Sequence, residues 1–550
     1  MTPAHRAELR GLALALGAEK VAGTHALLGK TGAGQAASGT RSAAGTRHRR
    51  LVVEGAERPA PARLRALRDA IRAGKDPLGD ALSAARNAAE RREIGAIYTP
   101  PELVAAMAEW GARSRPARVI DPGAGSGRFL VAAGARSRVA ELVAVDTDPL
   151  ALLLCAANAA VLGLARRTRV VHGDFRRVSL GRISGATLFL GNPPYVRHHA
   201  LSAADKRWLV ECAERLGMRA SRLAGLHVHF FARVAELGRA GDAGALVTAA
   251  EWLDVNYGSL VRELLVGPLG VNGLVLVEPG ARPFENAETT AAISCFELGS
   301  RSARVGFRRA ASLGALGSLG GGATVARSRL ATTARWSTVG TRAVTRPAGY
   351  VELGELFRVH RGQVTGKNAV WIAGAHSQGL PASVHFPTIT RARELFRAGA
   401  VLGDVSALRS VIDLPEDLDA LSTDERRRVE RFLAAARRAG AHEGFIARHR
   451  RAWWSVGLRE PAPILATYMA RRPPAFVRNP CGARHINIAH GLYPREALSP
   501  AVLDGLARHL NAHASLSAGR TYAGGLTKFE PREMERLLVP GPELLRLSAP

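Results

Sequence analysis

Between residues 117 and 136 a short apolar run, ARVID, passes into the glycine-rich turn Asp121-Pro122-Gly123-Ala124-Gly125-Ser126-Gly127 and then into RFLVAAGAR, which has helical periodicity. A strand that turns through glycines into a helix is the opening unit of a doubly wound sheet. It fixes where a ligand sits, at the carboxyl end of the strand and against the helix N-terminus, where the glycines let the backbone approach closely. Dinucleotide-binding proteins and plain tight turns share such a turn, so alone it does not specify the ligand.

The sequence around it repeats the same grammar. Apolar runs at ELVAVD (141–146), RVVHGD (169–174), ATLFLG (186–191), GALVTA (244–249), GLVLVE (273–278) and AAISCFE (291–297) each end in turn residues or lead into an amphipathic stretch. This is the pattern of an α/β fold, a doubly wound and mostly parallel sheet covered by helices. The expected organisation is a flexible basic N-terminal segment over 1–60, a helical element over 61–94, the sheet domain over 95–300, an Arg- and Gly-rich linker over 301–345 with at most one strand, VGFRRA, and a second domain of mixed α and β over 346–545. Within 1–60 the stretch TGAGQAASGTRSAAGT (31–46) has no hydrophobic period.

The tetrapeptide Asn192-Pro193-Pro194-Tyr195 closes the run ATLFLG and carries the chemistry. A planar amino group is a poor nucleophile because its lone pair is delocalised into the neighbouring ring or carbonyl. An enzyme that transfers a methyl group to it must supply acceptors that hold both N–H bonds out of the plane. The side-chain oxygen of Asn192 and the carbonyl of Pro193 suit that task. The two prolines fix φ at about −65° and remove two donors, leaving a rigid acceptor array, and Tyr195 offers a flat face on which a base can stack.

Other positions fit a nucleoside cofactor. Asp146 ends the second strand, where a carboxylate can bridge two ribose hydroxyls; the alternative is a helix cap within DTDP. Asp174 and Phe175 end the third, where Asp can accept from an adenine amino group and Phe can cover the ring; the alternative for Asp174 is a turn residue. Tyr98-Thr99-Pro100 precedes a helix at Pro101 and can close the site over a methionine moiety. With Asp121, Gly123, Gly125 and Gly127 these residues form the candidate cofactor site.

Taken together, YTP, DPGAGSG, VAVDTD, GDF and NPPY, in this order and followed by a C-terminal recognition region, resemble the class I S-adenosylmethionine-dependent methyltransferases. The resemblance is to the γ group of adenine-N6 DNA methyltransferases, similar to TaqI methylase and type IIG modification enzymes, and runs from about Gly95 to Pro540. It implies S-adenosyl-L-methionine as cofactor, a Rossmann-like methyltransferase domain, base flipping, and double-stranded DNA as the partner in a restriction–modification or related defence setting. It also matches Phe284 to a phenylalanine that packs on the target base opposite the Tyr of NPPY. Two departures stand out. Ala124 replaces a common Cys, and the His-rich LHVHFF (226–231) stands where a charged or aromatic residue is usual.

The C-terminal half carries FRVHRGQVTGKNAVW (357–371), REPAPILATYMARRPPAFVRN (459–479), RHINIAHGLYP (484–494) and GGLTKFEPREMERLLVP (524–540), which resemble the recognition domains of the same family. They mix Arg and Lys with Asn, Thr, Gln and aromatic residues, as phosphate contacts and base-edge readout require. Arg361, Lys367, Asn368, Arg471, Arg472 and Lys528 are the candidate DNA contacts, each of which can equally be a solvated charge or an ion-pair member. Trp453-Trp454 reads as core. The formal charge of +29 at 550 residues points to a polyanionic partner, although a GC-rich genome also inflates arginine. The local pattern is sharper: nine arginines and no acidic residue lie between Arg301 and Val351.

Four scattered cysteines show no CxxC pair and suit a reducing cytoplasm, the expected location. No signal peptide, membrane span or metal site is expected. A nuclease of the PD-(D/E)xK type needs a carboxylate two residues before a lysine, and the six lysines are preceded at that spacing by Ala18, Leu28, Ala73, Ala204, Thr365 and Leu526. Any cleavage is therefore expected from a separate endonuclease, with this chain a monomer on DNA. The rival readings are methylation of RNA adenine or of a protein glutamine by the same NPPY chemistry, and a noncatalytic DNA-binding member of the fold.

Overall fold

A nine-stranded sheet in the order β3-β2-β1-β4-β5-β7-β6-β8-β9 organises the first part of the chain. The computed structural model describes residues 1–28, 59–87, 90, 95, 98–278, 281, 283–284, 290–317, 319–339, 346–522 and 526–547. They fall into two units, Met1–Arg342 and Ala343–Pro550.

In the first unit, β1 (Arg118–Pro122), β2 (Glu141–Asp146), β3 (Thr168–His172), β4 (Thr187–Gly191) and β5 (Ala243–Ala249) pair in parallel. β7 (Ala291–Glu297) is antiparallel to both β5 and β6 (Val271–Val277). Alternation sends Val119, Leu142, Ala144, Leu188 and Leu190 to one face of the sheet and Ile120, Val143, Val145 and Phe189 to the other. A sheet apolar on both faces must be covered twice. Strand order reverses at β1, with β2 on one side and β4 on the other, which opens a crevice at their carboxyl ends.

The helices that matter for the site are α1 (Pro3–Ala15), α2 (Pro61–Arg72), α3 (Pro77–Ala85), α4 (Pro101–Ala112), α5 (Arg128–Arg136), α6 (Pro149–Val161), α7 (Ala203–Arg215) and α8 (Leu226–Leu237). α6 is apolar on nearly every side because it lies beneath other elements: Leu150 through Ala159 are all buried. Its start is set by Asp148, whose side chain accepts from the Leu150 N–H, and by Pro149 in the first turn.

Two expectations about organisation need correction. Residues 1–28 are folded onto the first unit rather than loose: Leu9 and Leu12 of α1 are buried, and α1 packs on α6. The rest of the expected flexible segment, 29–58 with its run 31–46, lies outside the described residues. The segment 301–345 is no linker, since it supplies β8 (Arg304–Ala310), parallel to β6, and β9 (Ala323–Ala326), antiparallel to β8. Val305 and Phe307 are buried at period 2, while Arg304 and Arg308 turn outward to bond Thr324 and the Gly320 carbonyl. The strand expected at VGFRRA is β8, and the one hidden by the glycines at 320–322 is β9. Residues 340–345 lie outside the described residues.

The second unit is of mixed α and β. Its largest sheet has four strands, β10 (Phe357–Arg361), β11 (Ile464–Thr467), β12 (Phe476–Arg478) and β13 (Ala489–Pro494), in the order β10-β13-β11-β12. Phe357, Val359, Ile464, Phe476 and Leu492 pack there against the helix Pro500–His513 through Val502, Leu506 and Leu510. Trp453 packs against Trp371 and Trp454 within the same unit. No helix among the described residues is long and apolar enough to cross a membrane.

Candidate functional site

The turn after β1 is shaped by its backbone. Gly123 and Ala124 donate to the Val145 carbonyl at 2.8 and 3.0 Å, tying the turn to β2. Gly127 has φ +86°, and a Cβ there would stand 2.4 Å from Cys155 Sγ on α6. A side chain is thus excluded twice, by backbone conformation and by the packing of α5 on α6. Gly125 has φ +54° and faces open space.

That space is a cavity of about 270 Å³ at the carboxyl ends of β1, β2 and β4. Of the residues singled out in the sequence, Tyr98, Thr99, Gly123, Gly125, Asp146, Asp174, Phe175 and Asn192 line it. Asp146 accepts from the Gly125 N–H at 2.8 Å with one oxygen and from the Asp148 N–H at 2.8 Å with the other. Burial pushes its carboxyl up to about 6. Phe175 stacks on Phe230 of α8 with centroids 5.4 Å apart, giving the cavity an aromatic wall. Asp174 is engaged by Arg176 through Nε at 2.9 Å and Nη2 at 2.6 Å, and Arg176 continues to Asp205 of α7 at 2.7 Å. Its carboxylate is therefore held in place by a cation rather than standing alone.

Asp121 is different. It is 1% exposed, lies off the cavity wall, and neither of its side-chain oxygens has a hydrogen-bond partner. Burial, with Asp146 nearby, raises its carboxyl well above the usual range. Room for it comes from Gly191 of β4, where a Cβ would stand 2.7 Å from its Oδ1. Gly127, Pro100 and Pro193 also lie off the wall: Gly127 directs the chain into α5, and Pro100 caps α4.

The NPPY turn follows β4. Asn192 Nδ2 donates to Thr99 Oγ1 at 3.0 Å, while its Oδ1 is buried and has no partner. An unsatisfied buried acceptor costs free energy unless something fills it. Tyr195 is fixed by its N–H to the Gly95 carbonyl at 3.0 Å and by its hydroxyl to the Val247 carbonyl at 3.4 Å. Phe284, 1% exposed, meets the Tyr195 ring edge-on at 5.6 Å and 65°, and on another side His227 of α8 lies at 6.4 Å and 28°. The structure brings Tyr195 and Phe284 together, but in direct edge contact rather than as two parallel plates.

Several further groups, outside the motifs, build this site. Asp76, the N-cap of α3, accepts from Gly79 N–H, Asn158 Nδ2 and Arg128 Nε at 2.9, 2.9 and 2.7 Å, and also takes the Ser126 hydroxyl. It clamps the glycine turn to the N-terminal helices. Its signal was Asp76-Pro77, a helix-start pair. Arg128 lies over the Tyr98 ring, 3.7 Å from its centroid. Arg86 pairs with Asp148 and lines the cavity.

Elsewhere, Arg361 donates to the Tyr468 hydroxyl at 3.2 Å and lies 5.4 Å from that ring, and Lys528 is 6.0 Å from the same ring and paired with Glu530. These two candidates converge. Lys367 is bonded to the Ala439 carbonyl, which follows the helix Thr423–Arg438, and Asn368 accepts from the Thr365 hydroxyl. Both therefore have partners inside their own unit. Arg471 and Arg472 are exposed, with Arg472 3.3 Å from the centroid of Phe396. Among the described residues no group of three His, Cys, Asp or Glu side chains could hold a metal ion.

Comparison with known proteins gives the family and the fold. Residues 75–293 match the N-6 DNA Methylase family, and residues 340–548 match the C-terminal domain of the type II methyltransferase M.Eco57I. The chain is 52% identical over 452 residues to the type II methyltransferase M.XamI of Xanthomonas campestris pv. amaranthicola, covering 82% of this chain and 86% of that protein. With the type II methyltransferase M.AccI of Acinetobacter calcoaceticus it shares 20% identity over 479 residues, 81% of this chain and 85% of that one. In fold it is similar to the type IIL restriction–modification enzyme MmeI, solved in complex with DNA, with a TM-score of 0.55, 12% identity and coverage of 83% of this chain and 70% of that one.

Proposed function

The chain belongs to the type II, N-6 adenine DNA methyltransferases of restriction–modification systems, and from that premise we propose how its own residues carry out the reaction. It is an adenine-N6 DNA methyltransferase. The observation that carries the reading is the Asn192 side chain: the residue lines the cavity, its amide nitrogen is held by Thr99, and its oxygen is buried and unpaired.

The cavity suits S-adenosyl-L-methionine. Asp146 at the end of β2 would take the ribose hydroxyls, and Phe175 with Phe230 would cover the adenine ring. Asp174, steadied by Arg176, would accept from the adenine amino group. Tyr98 and Thr99 would close the methionine end, and the orphaned carboxyl of Asp121 would act from beneath the turn. When bound, the cofactor supplies a methyl group activated by a positively charged sulfur.

The protein supplies the rest. Asn192 Oδ1 and the Pro193 carbonyl accept the two N–H bonds of an adenine amino group and draw its lone pair out of conjugation. Oriented, preformed acceptors of this kind need no reorganisation at the moment of transfer. Tyr195 offers a stacking face to an adenine extruded from the duplex, with Phe284 moving from edge contact to flank it. In the second unit, Arg361, Lys528, Arg471 and Arg472 would meet DNA. A separate endonuclease partner, action as a monomer and a cytoplasmic location complete the proposal.

Modified-base sequencing of DNA from cells expressing the protein tests this reading. N6-methyladenine in one sequence context is expected, and it should vanish for Asn192→Ala. Methylation of RNA or protein with unmodified DNA would favour the other NPPY readings.

A further inference from the structure

Extruding a base leaves a gap in the duplex, and an enzyme that stabilises the extruded state gains by filling it with an apolar side chain that stacks where the base was. Such a side chain must be exposed in the free protein, held rigidly, set among cations, and placed at the rim of the pocket that receives the base. Among the large apolar side chains that stand exposed in the described residues of the first unit, Leu223 is alone, at 59%. The others, Val401, Phe445, Met469 and Leu544, lie in the second unit.

Leu223 sits on the connection from α7 to α8, and that connection is tied to the NPPY loop. Leu226 donates to the Val196 carbonyl at 2.9 Å, one residue past Tyr195, and a Cβ at Gly225 would lie 3.1 Å from the same oxygen. The turn bearing Leu223 is itself fixed. Its N–H donates to Ser221 Oγ at 3.2 Å, the Ala224 N–H donates to the Ser221 carbonyl at 3.1 Å, and Ala224 is buried at 2%. One residue is anchored beneath the surface while its neighbour stands out in water. On the same connection Arg219 and Arg222 are exposed, and so are Arg197 and His199 just beyond the NPPY turn to which the connection is tied. An apolar projection flanked along the chain by exposed guanidinium groups is poorly suited to a protein core and well suited to a polyanion whose interior is stacked rings.

From this placement we infer that Leu223 enters the DNA base stack in place of the extruded target adenine, with Arg219 and Arg222 holding the flanking phosphates. The inference rests on the flipped-adenine reading above. It makes Leu223 a positioning residue: it touches neither cofactor nor the reacting nitrogen and acts by stabilising the extruded state of the substrate.

The test uses the full chain and a duplex containing the site identified by modified-base sequencing, with 2-aminopurine in place of the target adenine to report extrusion by its fluorescence. Leu223→Ala should lower the fluorescence rise and reduce methylation of the normal paired site about tenfold, with affinity for S-adenosylmethionine unchanged. Leu223→Met, which keeps an apolar side chain of similar volume, should restore both. A duplex with an abasic site opposite the target already has a weakened stack, so Leu223→Ala should methylate it within about twofold of the wild-type rate. Wild-type activity of Leu223→Ala on the paired site, or an equal loss on paired and abasic duplexes, would overturn the inference. No fluorescence rise with the wild type, while it still methylates the site, would overturn the flipped-adenine reading and this inference with it.

Discussion

Thr99 and Asn192, 93 residues apart, are joined by a 3.0 Å hydrogen bond in which the hydroxyl accepts from the amide Nδ2. The bond takes up one of the two amide N–H donors and leaves Oδ1 as a buried acceptor without a partner. Asn192→Ala is expected to cut methyl transfer by at least about a hundredfold, the scale of losing one preorganised polar contact, with cofactor affinity largely kept. Thr99→Val should lower kcat about tenfold by freeing the amide to rotate, and Thr99→Ser should restore it. Steady-state kinetics alongside calorimetric titration of the cofactor would check both, and an unchanged kcat in Thr99→Val would refute the anchoring role.

Asp146 gives the site a pH dependence with a definite sign. Burial raises its carboxyl to about 6, and only the ionised form can accept from two hydroxyls at once. Cofactor affinity should be full above that value and fall as pH drops through it, by about tenfold per unit once the group is mostly protonated. Asp146→Asn should bind more weakly at neutral pH and show a flatter profile between pH 5 and about 7. Fluorescence or calorimetric titration across that range is the measurement. A wild-type profile with no fall below about 6 would remove Asp146 from the contact.

The same residues show what a sequence can display and what it hides. Gly123, Gly125, Asp146, Asp174 and Asn192 meet at one cavity because each sits at or just beyond the carboxyl end of a strand, and strands announce themselves by period and by the residues that stop them. Asp76 and Arg86 stand at the two ends of α3, which precedes the sheet; Asp76-Pro77 marks a helix start, but that either residue reaches the site follows from packing alone. Lys367 had the composition of a phosphate contact, yet its partner is the Ala439 carbonyl, 72 residues along the chain. Closures over such distances leave no local mark. β9 is hidden for another reason: its one buried position, Val325, lies in a four-residue strand directly after the glycines 320–322, whereas β8 is legible as VGFRRA.

Gly127 carries a stability prediction. Its φ of +86° and the 2.4 Å approach of a Cβ to Cys155 Sγ act independently, one through the backbone and one through packing. Gly127→Ala should destabilise the protein by about 2 kcal/mol or more in urea unfolding. In Gly127→Ala/Cys155→Ala the clash with sulfur should be removed, while the 3.1 Å approach to the Cβ at 155 and the backbone part should remain, so that the double variant recovers less than half of the loss. Full recovery would mean that the left-handed conformation costs nothing, and no recovery would mean that the sulfur readily moves aside.

Arg361 and Lys528 offer the sharpest test of the DNA contact proposed for the second unit, because both approach the Tyr468 ring, which is itself fixed by a 2.8 Å hydrogen bond from its hydroxyl to the Asn487 carbonyl. Two cations gathered at one aromatic ring repel one another unless an anion lies between or beside them, and among the described residues Glu530 accompanies Lys528. A phosphate beside Arg361 would complete the neutralisation. Affinity for duplex DNA should therefore fall steeply with salt, and Arg361→Ala should weaken binding to all sequences alike while lowering the slope of log K against log salt by about one. Tyr468→Phe removes the hydroxyl that Arg361 uses and keeps the ring, so it should leave the slope intact. If instead Arg361→Ala relaxes sequence preference with the slope unchanged, the guanidinium reads a base edge rather than the backbone, since a base contact releases no counterion.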